Sequence, residues 1–173
     1  GRTIEDGKLS DSGHSWAGFR ERCDGNNFVL EFNLNNLTGG VQANLNLNAT
    51  NRYAIGFVNM ENGSLATYLY REEMDSIEHY PGLTVPYDPL AVYHVEISST
   101  EGSVKVNIRD VQNGEAHSVI DYEDADPLPA GAIDFETLEN SSARMSNIIL
   151  NCEIVEVKKE MPNLGVAYFK PPE

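Results

Sequence analysis

Residues 146–157 read S-N-I-I-L-N-C-E-I-V-E-V, and no other stretch limits the fold as much. Ile148, Leu150, Cys152 and Ile154 fall on one side of an extended chain, and Asn147, Asn151 and Glu153 on the other, with Ile149 and Val155 among them. Side chains alternate across a strand with a period of two, so the pattern is that of a long, half-buried β-strand near the C-terminus. The same period recurs upstream. Residues 27–34 set Phe28, Leu30, Phe32 and Leu34 against Val29, Glu31 and Asn33, and residues 41–49 set Val41, Ala43, Leu45, Leu47 and Ala49 against Gln42, Asn44, Asn46 and Asn48. Further runs at 53–58, 66–70, 92–98, 104–109, 118–122 and 132–137 are joined by polar connections, with Tyr53, Phe57 and Tyr93 assigned to the core. About nine such strands cannot all bury an apolar face in one sheet, so two sheets must pack face to face. The expectation is an all-β, two-sheet antiparallel β-sandwich of jelly-roll type.

A chain of 173 residues suits one domain over 1–173, with 1–20 as an N-terminal arm and 158–173 as a C-terminal tail. The formal charge of -15 argues against nucleic acid or an anionic membrane as partner, and no apolar run is long enough for membrane insertion. The chain opens at Gly1 with no apolar leader, which reads as a processed form. Cys23 precedes the first strongly alternating strand and Cys152 lies in the last, which suggests that the first and last strands meet. Two cysteines leave open a disulfide or a pair of buried thiols. Asn36, Asn48, Asn62 and Asn140 head N-x-[ST] triplets, which favours an extracellular or cell-surface glycoprotein.

Residues 71–90 hold three prolines and no period of two, and read as the long loop of the domain, where function tends to sit. Tyrosines gather around it. Sugars stack their C–H faces on aromatic rings while polar side chains take the hydroxyls, so Tyr68, Tyr70, Arg71, Tyr80 and Tyr87, with Glu73 and Asp75, form a candidate carbohydrate site. Core packing of some of these tyrosines is the competing account. The Gln42, Asn44, Asn46, Asn48 series reads either as an ordinary wet sheet face or as a flat polar surface for glycans or a neighbouring subunit. Asp24 and Asn26, and separately Asp124 and Asp126, lie in acidic, turn-rich segments that could supply oxygen ligands to calcium. The four histidines are too widely spaced for a zinc site.

The order of features from Tyr93 onward resembles the concanavalin A-like lectin/glucanase superfamily, above all its 3-keto-disaccharide hydrolase-like domain. The matching residues are V-Y-H-V-E-I and V-K-V-N-I-R-D as a hairpin, then P-L-P-A-G-A-I-D-F-E-T and A-R-M-S-N-I-I-L as the closing strands. The resemblance covers about half the chain and implies a jelly roll with a sugar-related or adhesive role, a setting in which a structural calcium is common. Glu73-Met74-Asp75-Ser76-Ile77-Glu78 also matches E-x-D-x-x-E, the catalytic strand motif of laminarinase-type glycoside hydrolases on this fold. That likeness implies Glu73 as nucleophile, Glu78 as acid/base and Asp75 between them. The leading expectation is a non-catalytic extracellular carbohydrate-binding or adhesion module. The alternatives are a self-associating structural subunit, its arm or tail completing a neighbour's sheet, and a glycoside hydrolase using Glu73 and Glu78.

Overall fold

Alternation alone would give the strands; what decides their partners is the need to bury both apolar faces together. The computed structural model describes residues 3–5, 8–10, 15–19, 23–154 and 168–169 of the chain. Its strands are β1 (Thr3–Glu5), β2 (Lys8–Ser10), β3 (Ser15–Gly18), β4 (Cys23–Thr38), β5 (Gly40–Leu47), β6 (Asn51–Asn59), β7 (Ser64–Glu73), β8 (Ser76–Pro81), β9 (Val85–Pro86), β10 (Tyr93–Thr100), β11 (Ser103–Asp110), β12 (Ala116–Glu123), β13 (Ala132–Thr137), β14 (Ser142–Ile154) and β15 (Tyr168–Phe169). One sheet runs β1-β2-β14-β4-β10-β11-β12. The other runs β15-β3-β13-β5-β6-β7-β8, with β9 added beside β7. All pairings are antiparallel, and the described residues contain no helix. The fold is a two-sheet antiparallel jelly-roll sandwich.

Phe32 of the first sheet holds the layers together. Its ring meets Phe57 edge-on at 6.2 Å and Phe135 at 5.3 Å, both from the second sheet, and all three are fully buried. Around them pack Leu30, Leu34, Leu45, Ile55, Leu69 and Ile97. Tyr53 and Tyr93 join this core as well.

β14 lies beside β4, so the first and last long strands do meet. Cys23, at the start of β4, is disulfide-bonded to Cys152 near the end of β14, with Cα atoms 5.5 Å apart. The alternation in β14 changes phase part-way. Ala143 and Met145 face the core at odd positions, Ile148 and Leu150 at even ones, and the register shifts between Ser146 and Ile149 around Asn147, whose φ is 50°. A second phase change corrects the reading of 41–49. Asn46 has a φ of 52°, β5 ends at Leu47, and Ala49 is exposed in the turn that follows.

Residues 71–90 are not one long loop. β7 continues through Glu73, a turn at Met74 and Asp75 reverses the chain, and β8 pairs back along β7 from Ser76 to Pro81. Every residue of β8 is exposed, so an edge strand with no buried face left no alternation to read. Pro81 suits that edge, where a missing N–H costs no ladder bond.

The disulfide closes a loop of 129 residues, so replacing both cysteines by alanine is expected to lower stability by about 2–5 kcal/mol, chiefly by freeing the unfolded chain. Urea denaturation of the double variant, compared with wild type with and without reductant, measures this. An unchanged midpoint would contradict it.

Candidate functional site

The outer face of the second sheet, turned away from the core, carries cross-strand rows of side chains. One row runs Glu136, Gln42, Gly56, Tyr68, Pro81; the next runs Asp134, Asn44, Ala54, Tyr70, His79. A third places Arg52 beside Glu72 and Ile77. In the first two rows small residues thus occupy the middle strand, carboxylates and amides one flank, and aromatic rings the other.

The polar flank is one hydrogen-bonded network. Glu136 Oε1 accepts from Gln42 Nε2 at 2.9 Å, Asn44 Nδ2 at 2.8 Å and Arg52 Nη1 at 2.7 Å. Asn44 Nδ2 also donates to Asp134 Oδ1 at 2.8 Å, and Arg52 Nη1 to Asn44 Oδ1 at 2.9 Å. On the other side Arg52 Nε donates to Glu72 Oε1 at 2.8 Å, with Nη2 2.7 Å from the same oxygen. Gln42, Asn44, Asp134 and Glu136 are each no more than 5% exposed, so this is not a wet sheet face. Burial by itself would lower the Arg52 pKa, but the hydrogen bonds and charges of Glu72 and Glu136 outweigh it and raise it further.

The aromatic flank is continuous with this network. Tyr68 donates its hydroxyl to Gln42 Oε1 at 2.5 Å, its ring lying across β6 where a Cβ on Gly56 would overlap it. Burial, then the neighbouring Tyr70 and the Glu136 charge, push the Tyr68 hydroxyl up to about 12, so it remains a donor at neutral pH. Tyr70 stands 4.8 Å from Tyr68 and 4.9 Å from His79 between ring centroids, forming a three-ring platform whose outer member is exposed. Beside Arg52 a cleft of about 370 Å³ opens between the β5–β6 and β7–β8 turns, bordered by Asn48, Thr50, Glu72, Met74 and Asp75.

Other residues singled out from the sequence lie elsewhere. Tyr87 is only 4% exposed and its hydroxyl accepts from Leu37 N, so it belongs to the core and not to a binding surface. Tyr80 is on the opposite side of β8 from His79, donating to Asp121 O and meeting Tyr122 edge-on. Arg71 points inward at the end of the sandwich. It donates through Nε to Asp124 Oδ2 at 2.6 Å, through Nη1 to Glu73 at 3.0 Å and through Nη2 to Asp126 O at 2.8 Å. The Asp124 hydrogen bond leads the causes that raise the Arg71 pKa.

Asp124 is correspondingly committed. Oδ2 also accepts from Tyr53 at 2.6 Å, and Oδ1 from Asp126 N at 2.9 Å, so a calcium ion there would have to displace a guanidinium. Among the described residues no three His, Cys, Asp or Glu converge as a metal site, and the side chains of Asp24 and Asn26 lie outside those described.

The E-x-D-x-x-E residues do not share a strand. Glu73 ends β7, Met74 (φ 57°) and Asp75 make the turn, and Glu78 is on β8 opposite Arg71. Arg71 Nη1 lies between the two glutamates, 3.0 Å from Glu73 and 3.8 Å from Glu78. Of the glycosylation-type asparagines, Asn36, Asn62 and Asn140 are exposed, while Asn48 is half-buried with Oδ1 accepting from Thr50 N and Asn51 N.

Sequence reading missed Arg52, Glu72, Asp134 and Glu136. One signal was present: in A-I-D-F-E-T the two acids alternate with Ile133 and Phe135, which sends them to the outer face of whatever sheet receives the strand.

This geometry sits on a two-sheet antiparallel jelly roll. No protein-family model and no curated protein matches the chain. Solved structures do. The carbohydrate-binding module CBM66 from Bacillus subtilis aligns with a TM-score of 0.64 at 15% identity, over 87% of this chain and 91% of that one. Toad ovary galectin in complex with thio-digalactose aligns at 0.52 and 13%, over 82% and 100%. The enzymatically active domain of tailspike protein 2 from bacteriophage CBA120 aligns at 0.61 and 10%, over 88% of this chain and 25% of that one. At these identities the likeness establishes the fold.

Burial would raise the Asp124 pKa, but hydrogen bonds from Arg71 and Tyr53 prevail and hold it below the ordinary 3.8. A depressed carboxylate stabilises the fold above its unfolded pKa and loses that contribution as pH falls through the folded one. Asp124→Asn, which leaves buried Arg71 without this partner, is expected to cost about 3 kcal/mol at pH 7. The gap from wild type should close as pH drops below 3.8. A pH series of urea melts tests both, and a gap that persists at low pH would contradict the assignment.

Proposed function

We propose that this protein is a non-catalytic, extracellular carbohydrate-binding module whose ligand lies on the outer face of the second sheet, at Tyr70, His79, Arg52 and Glu72. The observation that carries the reading is the placement of a three-ring platform next to a fixed hydrogen-bonding network on one sheet face. A pyranose presents C–H bonds on one side and hydroxyls around its rim. Rings take the first by stacking, and pre-oriented polar groups take the second at little ordering cost. Two of the similar folds, CBM66 and the galectin with its thio-digalactose, lend analogy in the same direction.

The non-catalytic part rests on Arg71. Retaining hydrolysis needs one ionised carboxylate and one that carries a proton, about 5 Å apart across a substrate. Here the Arg71 guanidinium occupies the space between Glu73 and Glu78, 3.0 Å from one and 3.8 Å from the other, where a substrate would have to lie. Location outside the cell is supported by the Cys23–Cys152 disulfide, a bond that persists in oxidising compartments, and by the exposed N-x-[ST] asparagines.

Affinity electrophoresis and calorimetry against a panel of polysaccharides test the proposal. Tyr70→Ala and His79→Ala are each expected to weaken the best ligand about tenfold, the equivalent of one lost stacking contact, with circular dichroism unchanged. Full affinity in both variants would remove the ligand from this face.

A further inference from the structure

Given the carbohydrate reading of this face, on which the inference rests, we infer that its ligand is an uncharged glycan and that glycans bearing carboxylate or sulfate groups are excluded. Recognition of an anion requires unoccupied N–H donors on a cation, in the best case the two parallel donors of a guanidinium. Among the described residues Arg52 is the only Lys or Arg that the register places on the outer face of β5, β6, β7, β8 or β13. Four of its five N–H donors are taken, and no parallel pair is left free for a bidentate anion. Nε and Nη2 face Glu72 Oε1, and Nη1 bonds both Glu136 Oε1 and Asn44 Oδ1.

An arriving carboxylate would therefore meet a guanidinium already neutralised by two carboxylates. It would also lie beside Glu72 and Asp75, which border the cleft next to Arg52. Stripping water from an anion without a new partner is costly, and the overall charge of -15 adds repulsion at long range. Sugar hydroxyls face no such penalty. They donate to the Glu72 and Asp75 oxygens and accept from Asn48 or Thr50 around the same cleft, while the C–H face covers Tyr70 and His79. Glu72 is on this account a specificity determinant: it occupies the side of the Arg52 fork that an acidic sugar would need.

The test is a binding panel in 20 to 150 mM salt, about a threefold change in Debye length. It pairs neutral polysaccharides (xylan, galactan, β-glucan, levan) with acidic ones (polygalacturonate, alginate, a sulfated galactan). Retention by neutral polymers only, with affinity insensitive to salt, supports the inference. Salt-sensitive binding of an acidic polymer that equals or exceeds the neutral ones overturns it and leaves the carbohydrate reading standing. Retention of neither class overturns the carbohydrate reading itself. Glu72→Ala, folded by circular dichroism, supplies a gain-of-function arm. Freeing Nε and Nη2 of Arg52 is expected to raise affinity for oligogalacturonate about tenfold over wild type. No gain in the folded variant overturns the role given to Glu72.

Discussion

One oxygen atom organises the outer half of the second sheet. Glu136 Oε1 accepts hydrogen bonds from Gln42, Asn44 and Arg52, and so ties β13 to both β5 and β6. A carboxylate only 4% exposed survives burial when such donors replace its water. The requirement propagates outward. Once Gln42 and Asn44 are oriented toward Glu136, Gln42 Oε1 faces the Tyr68 hydroxyl and Asn44 Oδ1 faces Arg52. Arg52 in turn fixes Glu72. The side chains of this face are thus held by one another.

The same alternation that builds the face builds the core behind it. In β13 Phe135 turns inward to meet Phe32, and its neighbours Asp134 and Glu136 turn outward. In β6 Phe57 turns inward while Gly56 turns outward and leaves room for the Tyr68 ring. The apolar core and the polar network are thereby assigned to opposite sides of the same strands. A register slip of one residue would exchange them, placing Asp134 and Glu136 in the sandwich interior. The Phe32, Phe57 and Phe135 contact between layers is thus also what holds the polar network in register.

How much of this was legible follows from how local each signal was. The strands of the body, the inward residues of β4 and the proximity of the two cysteines could be read because alternation is written within single strands. The phase changes at Asn46 and Asn147 could not, since each depends on one residue adopting positive φ in its sheet context. β8 was mistaken for loop because its six residues are all exposed and carry no pattern. Tyr70 and Tyr87 look alike in sequence, yet one flanks His79 on the surface and the other fills the core under Leu37. The carboxylate network was hidden for a different reason. Gln42 and Glu136 are 94 residues apart, and only the β5–β13 register, which no local motif encodes, makes them partners.

The E-x-D-x-x-E segment illustrates the converse, a local motif whose meaning the topology changes. On one continuous strand with a bulge its outer glutamates would share a face and could divide the roles of nucleophile and acid. Here the chain turns at Met74 and Asp75, and Glu78 comes to lie across from Arg71 instead of along from Glu73. The guanidinium that meets both glutamates is itself held at the sandwich end by Asp124, which Tyr53 and the Asp126 amide secure from the other side. Those carboxylates therefore tie the hairpin to Arg71. What the hairpin delivers to the outer face is His79 and Ile77, together with the Asp75 rim of the cleft beside Arg52. The segment that most resembled a catalytic strand thus contributes by geometry: it closes one side of the face that carries Tyr68, Tyr70 and Arg52.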